Sequence, residues 1–264
     1  MGSFIYAVLA FLLGWAGGVL LNYLADILPP GSRSAAPVCL RCGKPMDLKN
    51  YFLWPRICAS CGARRSWRTW IVEIMAAGGG LWLWLAPPGR LGFVVGLALL
   101  MYCGLIVVID VEHRLILHTV SLAGVIFGFG IGIWMHGVWE ALLGGAIGFG
   151  VMLFLYFTGK GLLKIVGKKK PGFDESEEVK EALGFGDVIL GGIIGLMLGD
   201  QMILTGLVVA VFVGCIYSFL HLFLLVITRQ YKMLSTIPYG PFLVAGAFIL
   251  LYFPETAAVL AARL

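Results

Sequence analysis

The chain has 264 residues, 60% of them hydrophobic and 12% charged, with a mean hydropathy of +0.97. Soluble domains are nearer half apolar and a quarter charged, so this composition excludes an ordinary soluble protein and describes a membrane protein. The net charge of +5 suits anionic lipid headgroups and calls for no nucleic acid.

A spanning helix needs about 20 mostly apolar residues. The first such segment, 4–28, has no basic n-region and ends in Leu28-Pro29-Pro30, so a cleaved signal peptide is not expected. Residues 29–69 follow as the only sizeable polar stretch. They hold Cys39-Leu-Arg-Cys42 and Cys58-Ala-Ser-Cys61, two C-x-x-C knuckles separated by 15 residues. That spacing predicts a tetrahedral four-cysteine zinc site with Cys39, Cys42, Cys58 and Cys61 as ligands. Gly43 and Gly62 follow the knuckles, where a tight turn lets amides face the thiolates. Paired disulfides or a redox dithiol are the rival, which a reducing compartment disfavours. With four protein ligands no position is open to water, so the zinc is expected to be structural and to supply folding energy that a short polar loop lacks.

Further candidate spans are 70–87, 91–110, 116–136, 138–159, 187–200, 202–228 and 239–261, making eight with the first. The sixth is the shortest. Abundant glycine suits close helix packing in lipid. Cys103 and Cys215 lie singly inside apolar segments and read as packing residues. The fold class is therefore all-α: a polytopic membrane protein with about eight transmembrane helices and a small zinc-binding loop. Its domains are a first helix at 1–28, the loop at 29–69, and a membrane core at 70–264.

Lys and Arg set the orientation. Seventeen of the 19 fall in odd-numbered loops, leaving only Arg90 and Arg263 for the other side. By the positive-inside rule the odd loops are cytoplasmic and both termini lie outside.

Two carboxylates stand out against this background: Asp110, closing the run LMYCGLIVVID, and Asp187, in GFGDVILGG. Ionisable groups at the ends of spans are costly and mark function. Segment three runs inward and ends at Asp110, while segment six runs outward from Asp187, so both are expected at the cytoplasmic face. Two carboxylates that meet share a proton and serve as an acid–base pair, as peptide hydrolysis requires. Gly184 and Gly186 beside Asp187 let a substrate backbone come close. Helix dipoles favour the ionised form at the start of a helix and disfavour it at the end, which gives the shared proton to Asp110. Asp26, Glu73, Asp200 and Glu255 read as boundary residues, and His113 and His118 as solvated. The charged run leading into Asp187 predicts a mobile gate.

These residues resemble the bacterial type IV prepilin leader peptidases, which are GxGD intramembrane aspartyl proteases. GGVLLNYLADILP is similar to the opening motif of that family through Gly18, Leu21, Asn22, Leu28 and Pro29. The paired knuckles follow, then RTWIVE through Arg68, Val72 and Glu73, then IDVEHRLI with Asp110 and GFGDV with Asp187. IPYGPFLVAG, with Pro238, Gly240 and Pro241, resembles the closing motif. Departures occur at Val19, Ile27, Ile116-Leu117-His118 and Ile189.

The resemblance implies an endopeptidase that removes the basic leader of type IV prepilins, or of type II secretion pseudopilins, at the cytoplasmic face of the bacterial inner membrane. Many members with the cysteine loop also N-methylate the new N-terminus with S-adenosylmethionine. No glycine-rich nucleotide fingerprint occurs, so the residues for that cofactor are unknown and the zinc loop is the region it points to. The alternatives are another GxGD protease, a proton-coupled transporter using the same aspartates, or a zinc-stapled scaffold. Transporters favour repeats and midplane charges, which this chain lacks.

Overall fold

The computed structural model describes residues 2–29, 37–39, 41–52, 55–89, 91–167, 184–228 and 238–261. The charged run expected as a gate, 168–183, lies outside them. The described residues form helices α1 (Gly2–Ile27), α2 (Leu48–Phe52), α3 (Trp67–Leu85), α4 (Gly92–His113), α5 (His118–Met135), α6 (Val138–Gly167), α7 (Phe185–Ile227), α8 (Gly240–Tyr252) and α9 (Pro254–Ala261). Two isolated β-bridges are the only extended pairing among them. The chain divides into two compact units, Met1–His113 and Arg114–Leu264.

Every expected span is helical among its described residues, but the spans differ in length and apolar character. Five helices, α1, α4, α5, α6 and α7, are long and apolar enough to span a bilayer. α3 falls short because Arg68, Glu73 and the glycines at 78–80 dilute its apolar character. The last expected span is broken at Phe253, where Pro254 cannot continue the hydrogen-bond ladder. α7 holds the sixth and seventh spans together. Gly199 interrupts it at φ 73°, ψ 174°, a region essentially reserved for glycine.

The break is a reversal. Gly148 lies against both Gly191 and Ile203, and a Cβ on Gly206 would meet Leu198 at 2.7 Å. Residues eight apart on a straight helix are separated by about 12 Å, so the two arms of α7 fold back on each other at Gly199.

Lipid tails offer no hydrophobic reward for helix association, so packing depends on backbone approach. In the first unit α1 meets α3 through small residues: a Cβ on Gly14 would stand 2.4 Å from the Ala76 carbonyl, and one on Gly80 2.6 Å from that of Ala10. In the second unit the Gly144 and Gly148 ridge of α6 lies against Gly191 and Gly195 of α7. The outer faces carry exposed Phe212, Ile216 and Phe219, suited to lipid.

Candidate functional site

The cysteine loop is two copies of one turn. Cys39 N–H donates to the Lys44 carbonyl (2.9 Å) and Gly43 N–H to that of Cys39 (2.8 Å); Cys58 and Gly62 repeat this with Ala63 and Cys58 (3.0 and 2.8 Å). Gly43 and Gly62 take φ of 68° and 67°, the left-handed region that a Cβ disfavours. Bridges Val38–Pro45 and Ile57–Arg64 close the turns.

All four Sγ atoms lie within 4.8 Å of one another, with Cys39–Cys61 and Cys42–Cys58 each at 3.7 Å. A tetrahedron with zinc–sulfur bonds of about 2.3 Å separates its sulfurs by about 3.8 Å, so the donor set fits that ion. A disulfide needs about 2.05 Å, and all four cysteines are free. The turn amides prepare the thiolates. Those of Cys42 and Arg41 lower the Cys39 thiol to about 6, and those of Ser60 and Cys61 lower Cys58. The Ala63 amide pulls Cys61 the same way, but burial and the neighbouring thiols outweigh it and raise this thiol to about 11.

Beside the loop lies a charge network that sequence reasoning missed. Glu73 of α3 is buried; it pairs with the buried Arg56 at 2.7 Å and accepts from Trp15 Nε1 at 3.0 Å. Asp26 accepts from the Tyr51 hydroxyl (2.6 Å), from Arg65 Nη2 (2.8 Å) and from Arg68, which also reaches Glu112. Burial, reinforced by the Asp26 charge, pushes the Tyr51 hydroxyl well above its usual range. Asp26 and Glu73, taken from sequence as boundary residues, are thus the attachment points of the loop to α1 and α3. The signal was present in the motifs: Asn22 donates to the Thr69 carbonyl at 3.1 Å, and Gly18 packs against Glu73 and Ala76.

Replacing Glu73 by Ala would leave Arg56 charged and buried. Unfolding of the detergent-solubilised protein is expected to become easier by about 3–5 kcal/mol. Adding Arg56→Met should recover much of that loss; no recovery would mean that the pair is not the source.

Both aspartates are buried, with 5% of Asp110 and 8% of Asp187 exposed. Asp110 lies one turn from the end of α4, in the first unit. Asp187 is in the first turn of α7, in the second, where its carboxylate accepts from the capping Gly184 N–H at 3.3 Å. Gly186 is required by close packing, since a Cβ there would meet Ile116 at 2.7 Å. The α7 arm from Phe185 to Leu198 is about 21 Å long at 1.5 Å per residue, short of a hydrocarbon core of about 30 Å. With such an arm, Asp187 and the Gly199 turn cannot both reach a membrane surface along a straight crossing.

Residues 95–219, which include both aspartates, match the model of the type IV leader peptidase family. That span covers slightly less than half of the chain, and over it the chain is similar to this family. It is also similar to the prepilin leader peptidase/N-methyltransferase of Myxococcus xanthus (strain DK1622), with 25% identity over 232 residues. The alignment covers 83% of this chain and 64% of the relative, so the chain spans less than two thirds of the length of the curated protein it matches. No solved structure matches. The leader peptidase segment starts beyond Cys61, so the cysteine cluster lies outside the family match.

Proposed function

We propose that this protein is an intramembrane aspartic endopeptidase that removes the basic leader from type IV prepilins or type II secretion pseudopilins. The observation that carries this is a pair of buried aspartates at helix ends, both inside the segment matched by the leader peptidase family. In the proposed reaction the carboxyl groups of Asp110 and Asp187 face the scissile bond. The ionised one takes a proton from water, whose oxygen bonds to the carbonyl carbon. The protonated one hydrogen-bonds to the carbonyl oxygen and stabilises its developing charge. Collapse then breaks the C–N bond, and a proton passes to the departing amine. Asp187, in a helix first turn, is assigned the ionised role and Asp110 the protonated one. Gly184 and Gly186 shape the approach to Asp187.

By the distribution of Lys and Arg, the active site and the cysteine loop face the cytoplasm across the inner membrane, with both termini outside. Functionally the chain divides into a first helix at 1–28, a metal loop at 29–69 and a peptidase core at 70–264. A second activity, N-methylation of the new N-terminus, is supported by the name of the Myxococcus relative. S-adenosylmethionine supplies the methyl group in that chemistry. No strand–glycine loop–helix unit occurs among the described residues, and none of them is assigned to it.

Incubating the solubilised protein with a prepilin tests the reading: leader removal is the expected result, and a folded protein that leaves every prepilin and pseudopilin intact would overturn it. Labelled S-adenosylmethionine in the same tube reports methyl transfer.

The Cys39, Cys42, Cys58 and Cys61 cluster is assigned a structural zinc. Metal analysis is expected to return one zinc per chain, lost on Cys39→Ser or Cys58→Ser. Protons compete with metal for thiolates, so zinc retention should fall with falling pH as the thiols protonate. Stoichiometric zinc in both variants would remove the assignment.

A further inference from the structure

The first unit contains a cavity of about 710 Å³ that the proposed peptidase chemistry does not use. We infer that it binds the phosphate-bearing headgroup of an anionic phospholipid.

Its position is the first argument. The lining includes Asp26 and Pro29 at the end of α1, Thr69 at the start of α3 and Glu112 at the end of α4, so it opens where three helices terminate together. Apolar side chains are exposed around the same end. Trp67 is 83% exposed, Leu48 50% and Phe52 37%, a girdle suited to the membrane–water boundary. The cavity therefore sits at headgroup depth.

Charge is the second argument. Arg41, Arg64, Arg65 and Arg68 line the cavity against only Asp26 and Glu112. Those two carboxylates are taken up by Arg65 and Arg68. Arg41 and Arg64 are exposed and have no carboxylate partner among the described residues. Arg68 also keeps its Nε buried without an acceptor. Guanidinium groups match phosphate oxygens through paired donors, and basic pockets between helix ends hold acidic headgroups. Val38, Met46 and Ala63 complete the wall with apolar surface, which suits the glycerol end of a lipid.

Native mass spectrometry of delipidated protein, titrated with phosphatidylglycerol or phosphatidylcholine, tests this. Phosphatidylglycerol is expected to bind preferentially. The Arg41→Gln/Arg64→Gln double variant should weaken it about 30-fold, since each basic group near a headgroup contributes about one fivefold factor. Lys44→Gln/Lys49→Gln, on the same loop but outside the lining, should change it little. Retained zinc and helicity show that the variants are folded, and a variant failing that check is replaced by Arg41→Lys/Arg64→Lys, whose smaller loss reads paired recognition. Equal affinity for the two lipids, or equal loss in both Gln variants, would overturn the proposal. Saturation by inorganic phosphate or glycerol phosphate alone would assign a soluble anion instead of a lipid. Displacement of the lipid by S-adenosylmethionine would give the cavity to the methyl donor.

Discussion

Substituting Asn for Asp110, or for Asp187, is expected to lower leader cleavage by about 10⁴-fold while leaving the protein folded. The amide has the shape of a carboxyl but can neither take a proton from water nor give one up. Both groups are needed for one turnover, so the double variant should be scarcely worse than either single one, as for other residues acting as a unit. Circular dichroism and zinc content identify a folded variant. Cleavage within about tenfold of the parent in a folded Asp110→Asn or Asp187→Asn protein would end the aspartyl mechanism. The pH–rate profile of the parent should be bell-shaped, reporting two macroscopic ionisations of the pair. The division of roles makes a finer claim: the two single variants should leave residual activities with different pH dependence. Superimposable profiles would remove that division while leaving the dyad intact.

The second large effect is expected at the glycine seam of α6 and α7. A Cβ on Gly195 would stand 2.1 Å from the Gly144 carbonyl oxygen, and one on Gly148 2.3 Å from that of Gly191. These obstacles are backbone atoms, which cannot rotate aside. Gly195→Val or Gly148→Val should therefore force the helices apart and destabilise the second unit by about 3 kcal/mol or more. Gly150 and Gly130 give the contrast, because no atom lies within 4 Å of a Cβ placed there. Alanine at either should be neutral, or stabilising by up to about 1 kcal/mol through helix propensity. Thermal unfolding in detergent measures all four. A Gly195→Val protein as stable as the parent would show that α6 and α7 do not pack as described.

The same seam shows where sequence reading stops. The glycine-rich text of these segments announces close packing, yet it does not say which glycines meet. Gly150 and Gly148 look alike in sequence, and only the pairing of α6 with α7 separates them. Likewise the sixth and seventh spans were separable on hydropathy. That the two helical arms join directly and fold back at a single residue follows from Gly199 occupying φ 73°, ψ 174°. The cysteine loop was legible for the opposite reason. Its ligand spacing and turn glycines are local, so the sequence carries nearly the whole geometry.

What the sequence determined by itself is what depends on composition and short-range order. That includes a helical membrane protein, a four-cysteine cluster at C-x-x-C spacing, and two aspartates at the ends of apolar runs. Tertiary structure alone decided the partners of residues far apart in the chain. Arg56 reaches Glu73, Arg65 and Arg68 converge on Asp26, and four arginines gather around one cavity. A buried charge is tolerable only beside its complement. Which complement it finds is settled when α1, α3 and the loop pack together, a relation that no local pattern encodes.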